Sequence, residues 1–291
     1  MQFKKSISIL TISIIVLSLT ACLFGLLSTR GTGTYDYTAI SHEVVKINGT
    51  GIYQNDSISV TAQGKASDLV TLVMGLPLLL ISLFFANKGS FKAKLLLTGT
   101  LGYFLYTYMS YTFLWHYNVL FIVYVALMSM SLYAFILSMM SFDRVQFTSH
   151  FKKTLPVKIL GGFQIFIAVT LSMLWLSKLA PSIFTGAVPV GLEHYTTLTI
   201  QGMDLGIVVP AAFLSGILLI RRKPFGYLLS SVILMKSITM LTAISAMMVN
   251  QALNHVQMSL AEILVFSTFN VMAIVCLILL VKNTNEQPNI R

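Results

Sequence analysis

Residues 199–224 read TIQGMDLGIVVPAAFLSGILLIRRKP. From Thr199 to Ile220 the stretch carries a single charge, Asp204, and it stops at Arg221-Arg222-Lys223-Pro224. A helix rises 1.5 Å per residue, so roughly 20 apolar residues cover a hydrocarbon core of about 30 Å. This run is long enough, and its basic stop marks a membrane boundary. Seven further stretches meet the same test, at about 6–28, 69–87, 95–115, 118–141, 159–177, 226–249 and 259–281. Across 291 residues only 10% are charged and the mean hydropathy is +0.83. Soluble domains carry about 25% charged residues, and disordered chains are poor in the apolar residues that dominate here. The sequence therefore predicts one all-α polytopic membrane domain over residues 1–291, with eight transmembrane helices.

The polar breaks between the runs alternate in charge. With the N-terminus in the cytoplasm, fourteen of the nineteen Lys and Arg residues lie inside and four outside, leaving Lys236 within the membrane. Lys88, Lys92, Lys94, Arg144, Lys152, Lys153 and Arg291 belong to the inner set. Basic residues are retained on the cytoplasmic side, so both termini are expected inside a plasma membrane. The formal net charge of +10 then reflects topology and contact with the anionic heads of the lipid bilayer. It does not argue for nucleic acid, because the basic residues are spread over five segments.

Two features qualify this topology. Lys4-Lys5, an apolar run and Leu19-Thr20-Ala21-Cys22 have the form of a lipoprotein signal, which would lipidate Cys22. The run continues through Leu23, Phe24, Leu26 and Leu27, which favours an uncleaved helix. Residues 29–68 form the one sizeable extracytoplasmic segment. There Glu43 to Ile47, Asn48-Gly49-Thr50-Gly51 and Ile52-Tyr53 predict a small β-hairpin, because Asn-Gly is a strong hairpin signal. Ile58-Ser59-Val60-Thr61 is expected to add a short strand.

Pro77 to Leu96 can be laid without a gap over Pro210 to Leu229, matching Pro77 with Pro210, Ser82 with Ser215 and Lys88 with Arg221. The offset of 133 is close to half the chain. It suggests two parallel four-helix halves, 1–143 and 144–291, related by an axis along the membrane normal. Shared leucines and basic helix ends are the plainer explanation of the same matches.

Ionisable groups inside hydrocarbon cost about 2.5–3.5 kcal/mol each at a helix centre on insertion scales. The helical rise places Asp204 about 25 Å and Lys236 about 20 Å above the inner boundary, and Asp68 and Glu262 at the outer surface, about 30 Å up. Asp204 and Lys236 sit on consecutive spans and are expected to meet. Pro210 lacks an N–H and clashes with the carbonyl of Gly206, so that helix should break beside Asp204. Gly202 and Gly206 form a small-xxx-small pair suited to close helix packing. Gly75 and Pro77 interrupt the second span below Asp68, and Asn270 supplies an amide from the last span. Asp204, Lys236, Asn270, Glu262 and Asp68 thus form a candidate binding set for a small polar ligand or cation. An Asp–Lys brace between helices explains the same pair without any ligand. The tyrosines at 103, 106 and 108 need hydroxyl partners on neighbouring helices.

No zinc, serine-hydrolase, phosphate-loop or Cys-x-x-Cys pattern occurs, nothing calls for a cofactor, and the histidines lack ligand spacing along any one helix. Gly202-Met203-Asp204 matches part of an intramembrane aspartyl protease pattern, but a second membrane-buried aspartate is not expected. Catalysis is accordingly the least supported class.

Several stretches resemble a group of uncharacterised bacterial multi-spanning membrane proteins. They are Asp68-Leu69-Val70-Thr71-Leu72 with Gly75-x-Pro77, Gly102-Tyr103-Phe104-Leu105-Tyr106-x-Tyr108, Leu120-Phe121-x-x-Tyr124-Val125, and Asp204-Leu205 with Pro210 and Arg221-Arg222-x-Pro224. The likeness covers most of residues 50 to 250. It implies a bacterial plasma membrane and carries no activity. Two functions stay open: a small carrier or ligand-binding membrane protein with a polar site in the outer half, and a non-transporting scaffold or sensor that meets a partner through its extracytoplasmic segment.

Overall fold

A computed structural model describes residues 2–143 and 146–288. Arg144 and Arg291, both counted on the inner side, lie outside the described residues. Eight long helices form the bundle: α1 Lys4–Leu27, α2 Ile58–Asn87, α3 Phe91–Phe113, α4 Phe121–Met140, α5 Val157–Thr185, α6 Thr199–Ile220, α7 Pro224–Leu253 and α8 Leu260–Lys282. All but α3 are long and apolar enough to cross a membrane. Large apolar side chains cover the perimeter, with Ile9, Val16, Phe84, Met173 and Val271 each more than half exposed. Water would not tolerate such a surface, and lipid requires it.

Helix α3 is less apolar and is largely enclosed by protein. Thirteen of its residues are buried and only Phe113 is exposed. It packs against α2, α4 and α7, so its polar side chains meet protein. Thr98 and Ser138 share a hydrogen bond of 2.6 Å between α3 and α4, and Ser215 and Ser230 one of 2.8 Å between α6 and α7. Such contacts contribute on average about 0.6 kcal/mol each in membranes. At Gly99 an added Cβ would lie 2.5 Å from Cβ of Met235, which is why α3 and α7 can cross so closely.

Contacts form two rings. In the first, α1 touches α2, α2 touches α3, α3 touches α4 and α4 returns to α1; in the second, α5, α6, α7 and α8 repeat that cycle. The rings join chiefly where α7 meets α3 and α2.

One end of the bundle is rich in lysine. There Lys4 Nζ donates to the Asn87 carbonyl at 3.0 Å, Lys152 Nζ to the Lys282 carbonyl at 2.9 Å, and Phe151 pairs with Thr284. The opposite end carries a two-stranded antiparallel hairpin, β1 Tyr35–Thr38 with β2 Val44–Ile47, in register Tyr35 with Ile47.

The hairpin corrects the expected one. Val44–Ile47 pairs with the strand before it, while Asn48-Gly49 leads into a 3-10 turn at Gly51–Tyr53. The Asn48 amide holds the carbonyls of Thr50 and Tyr53, at 2.6 and 3.3 Å, and so bends the chain back onto the bundle. The strand expected at Ile58-Ser59-Val60-Thr61 is instead the first turn of α2. Ser57 caps it by accepting the Val60 N–H at 3.1 Å. Helix α2 therefore begins eleven residues before the apolar run suggested.

Candidate functional site

Helices α2 and α6 share one irregularity. Each contains a five-residue π turn, Thr71–Gly75 in α2 and Asp204–Val208 in α6, followed after one residue by a proline. The Leu76 N–H reaches back to the Thr71 carbonyl, and the Val209 N–H to the Asp204 carbonyl. The expected break is thus an inserted residue rather than a simple kink: widening the turn relieves the clash that Pro77 or Pro210 would make with the carbonyl four residues earlier. The two π turns lie 133 residues apart, the same offset as the two prolines.

Asp204 is 8% exposed and opens its π turn. The Tyr106 hydroxyl donates to its Oδ1 at 2.6 Å, and the Trp175 indole N–H donates to its Oδ2 at 2.9 Å. Lys236 does not touch the carboxylate. Its ammonium lies 4.4 Å from the centroid of the Tyr106 ring, on the ring face. The expected Asp204–Lys236 contact is replaced by a bridge in which one tyrosine serves both groups, the hydroxyl for the acid and the negative ring face for the amine. Asp204 has two neutral donors and no cation at contact distance among the described residues.

Asp68 was expected at the outer surface and is instead 2% exposed. The early start of α2 places it ten residues into the helix, about 15 Å along the axis. The Tyr53 hydroxyl donates to Oδ2 at 2.5 Å and the Tyr111 hydroxyl to Oδ1 at 2.9 Å. Gly25 of α1 leaves the room that carboxylate and the Tyr53 hydroxyl occupy. Cys22 is fully buried inside an unbroken α1. Asp68 is a second buried aspartate, contrary to expectation. The two acids do not form a proton-sharing dyad, since each is held by its own aromatic donors.

The other expected members stand apart. Asn270 donates its amide to Ser245 Oγ at 2.8 Å and to the Phe266 carbonyl, which ties α8 to α7. Glu262 pairs with Lys178 at 2.5 Å and closes a capping box with Ser259 at the start of α8. Gly202 and Gly206 have nothing within 4 Å of an added Cβ, so they make no close helix contact. The close crossing falls at Gly161 and Gly216, where a Cβ on either would lie within 2.7 Å of the other's carbonyl oxygen. Gly75 has an ordinary helical φ of −59°, and a Cβ there would meet Tyr103 and Phe104 at 3.4 Å. The Tyr103 hydroxyl finds Thr71 Oγ1 at 2.7 Å, at the first residue of the π turn.

A third cluster sits at the hairpin end, in the connecting segments. Asp56 is 1% exposed, and its Oδ1 accepts the His116 N–H and the Tyr195 O–H, each at 3.0 Å. His116 and His194 stack with ring centroids 4.5 Å apart, and His194 also contacts the Asn55 carbonyl at 2.9 Å. Burial raises the Asp56 carboxyl to about 7, against two hydrogen bonds that oppose the rise. Glu193 is raised by burial, and His116 is lowered first by burial and then by His194. Among the described residues no three His, Cys, Asp or Glu side chains are grouped to hold a metal.

Sequence reasoning missed Tyr53, Tyr111, Trp175 and Asp56 as polar partners. Ser57 ahead of a long mixed run was an available cap signal for the start of α2. No sequence signal gives a π turn its place. No family model, curated protein or solved structure matches the chain.

Proposed function

We propose that the chain crosses a bacterial plasma membrane eight times, with both termini in the cytoplasm, and binds and carries a small polar ligand or cation at Asp204. The single observation behind this reading is a carboxylate buried at a π turn, held by a tyrosine and an indole with no cation against it among the described residues. Irregular backbone at membrane depth leaves carbonyls that can coordinate an ion, and it occurs where protein or a water-lined cavity covers it. An intramembrane acid is by default a functional group. The paired rings of helices, and π turns at one shared offset, support two parallel four-helix halves. A carrier of that build works by one half rocking against the other. Charge segregation between the bundle ends supports the orientation, and the buried surroundings of α3 support counting it as the eighth crossing.

Thermal unfolding of the purified protein in detergent, against Na+, K+ and a panel of amino acids, tests this. At least one of these probes is expected to raise the midpoint in wild type and to lose that effect in Asp204→Asn. A probe that stabilises both forms equally overturns the assignment of the site.

A second reading has its own observation. Strand β1 is exposed at all four residues, and Ile40 at the hairpin turn is 97% exposed. A scaffold or sensor would offer this edge to a partner protein. Ile40→Asp with Val44→Asp tests it without disturbing residues 53–65, which pack into the bundle. Loss of cross-linked partner in cells supports the scaffold; unchanged cross-linking removes it.

A further inference from the structure

At the lysine-rich end an apolar groove opens sideways between the two rings of helices. Its walls come from four helices and both rings: Phe85 of α2, Leu96 of α3, Ile238 of α7 and Leu277 of α8. One wall includes Ile81, seven residues before Lys88, or about 10 Å along α2 from the lysine-rich end. The lining is apolar apart from Ser82, whose hydroxyl donates to the Leu79 carbonyl at 3.2 Å, and the mouth, where Ser90 and Lys92 stand. Among the described residues no carboxylate pairs with Lys92. The Glu286 oxygens accept the Ser90 hydroxyl at 3.1 Å and the Phe91 N–H at 2.7 Å, at the start of α3. Lys88 lies one turn away in the preceding loop, over the Phe84 ring at 4.3 Å.

A groove with an apolar floor that faces acyl chains, and an unpaired cation at the headgroup level, matches one kind of molecule. We propose that it seats an anionic glycerophospholipid, with one acyl chain along Phe85, Leu96, Ile238 and Leu277 and the phosphate on Lys92. A zwitterionic lipid fills the same floor, but its own ammonium opposes Lys92. A free phosphate ion meets Lys92 and gains nothing from the floor. Basic pockets between transmembrane helices recognise anionic heads in this way. Because the floor is built from both rings, the bound chain lies across their junction. The site is independent of Asp204.

Native mass spectrometry of the full chain, released from micelles doped with equal amounts of phosphatidylglycerol and phosphatidylcholine, tests the proposal. One phosphatidylglycerol is expected to survive activation that strips phosphatidylcholine. Lys92→Gln is expected to cut that preference about fivefold, the effect of one lysine at a lipid surface, while Lys153→Gln at the same bundle end leaves it unchanged. Leu96→Trp fills the floor and is expected to abolish retention of either lipid; Ile238→Trp replaces it should the first variant fail to fold. Millimolar inorganic phosphate is expected not to displace the lipid. Equal retention of the two lipids by wild type overturns the proposal, as does an equal loss in Lys153→Gln or displacement by phosphate.

Discussion

Lys236 and Asp204 occupy adjacent helices of the bundle and both meet Tyr106, whose hydroxyl reaches the acid at 2.6 Å while the amine rests 4.4 Å from the ring centre. The geometry separates two interactions that a direct ion pair would merge. Tyr106→Phe keeps the ring beneath Lys236 and removes one donor from Asp204. It is expected to cost about 0.6–1.7 kcal/mol, the range measured for interhelical hydrogen bonds in membranes. Lys236→Met should cost less in the Tyr106→Leu background than in wild type, because the ring face is already gone. Unfolding in mixed micelles measures both, and full additivity of the two substitutions would show that amine and ring do not interact.

Asp56 makes the hairpin end sensitive to pH. Its folded carboxyl titrates near 7 while an unfolded aspartate titrates near 4. The folded form therefore holds its proton more tightly, and the resulting stability is complete below about 4 and lost as pH rises through 7. His116 has the opposite sign: burial lowers it, so its contribution is present above its ordinary value and lost on acidification. Asp56→Asn retains a side-chain acceptor for His116 and Tyr195 and removes the titration. Hydrogen exchange over residues 51–57, corrected for intrinsic rates, is expected to show less protection at pH 8 than at pH 6 in wild type and a flatter profile in Asp56→Asn. A profile identical in the two proteins would assign the sensitivity to another group.

Two pairs of glycines separate close packing from mere composition. Gly216→Leu drives a side chain into the Gly161 carbonyl and is expected to destabilise α5 against α6 by about 1–3 kcal/mol or more, the usual cost of overpacking. Gly202→Ala and Gly206→Ala point into open space and should be neutral or slightly stabilising, since alanine favours helix more than glycine does. Unfolding midpoints in detergent decide between these outcomes. Equal sensitivity at all three positions would contradict the packing described.

The pattern of apolar runs and basic breaks made most of the helices legible, because membrane spans must satisfy their backbone internally and exclude charge along their whole length. Helix α3 was legible by length even though its tyrosines lower its hydropathy. The start of α2 was not, since Ile58 to Asp68 mixes polar and apolar residues and its burial comes from α1, α7 and the Gly51–Tyr53 turn. That one boundary moved Asp68 from the surface to the interior. Pro210 announced a disturbance beside Asp204, but a proline does not say whether the helix kinks or inserts a residue. Heights along the helices brought Asp204 and Lys236 to similar levels and gave no information about the face each presents. Tyr106, Trp175 and Tyr111 became partners through packing across distant segments, which spacing along one chain does not encode.

The carrier reading is tested most directly by currents from proteoliposomes adsorbed to a solid support and challenged with separate steps of Na+, K+ and pH. Wild type is expected to give a transient for one of these steps, Asp204→Asn to lose it, and Tyr106→Phe to retain it with an altered concentration dependence. A transient of unchanged size in Asp204→Asn would contradict a role for that carboxylate in carrying the ion.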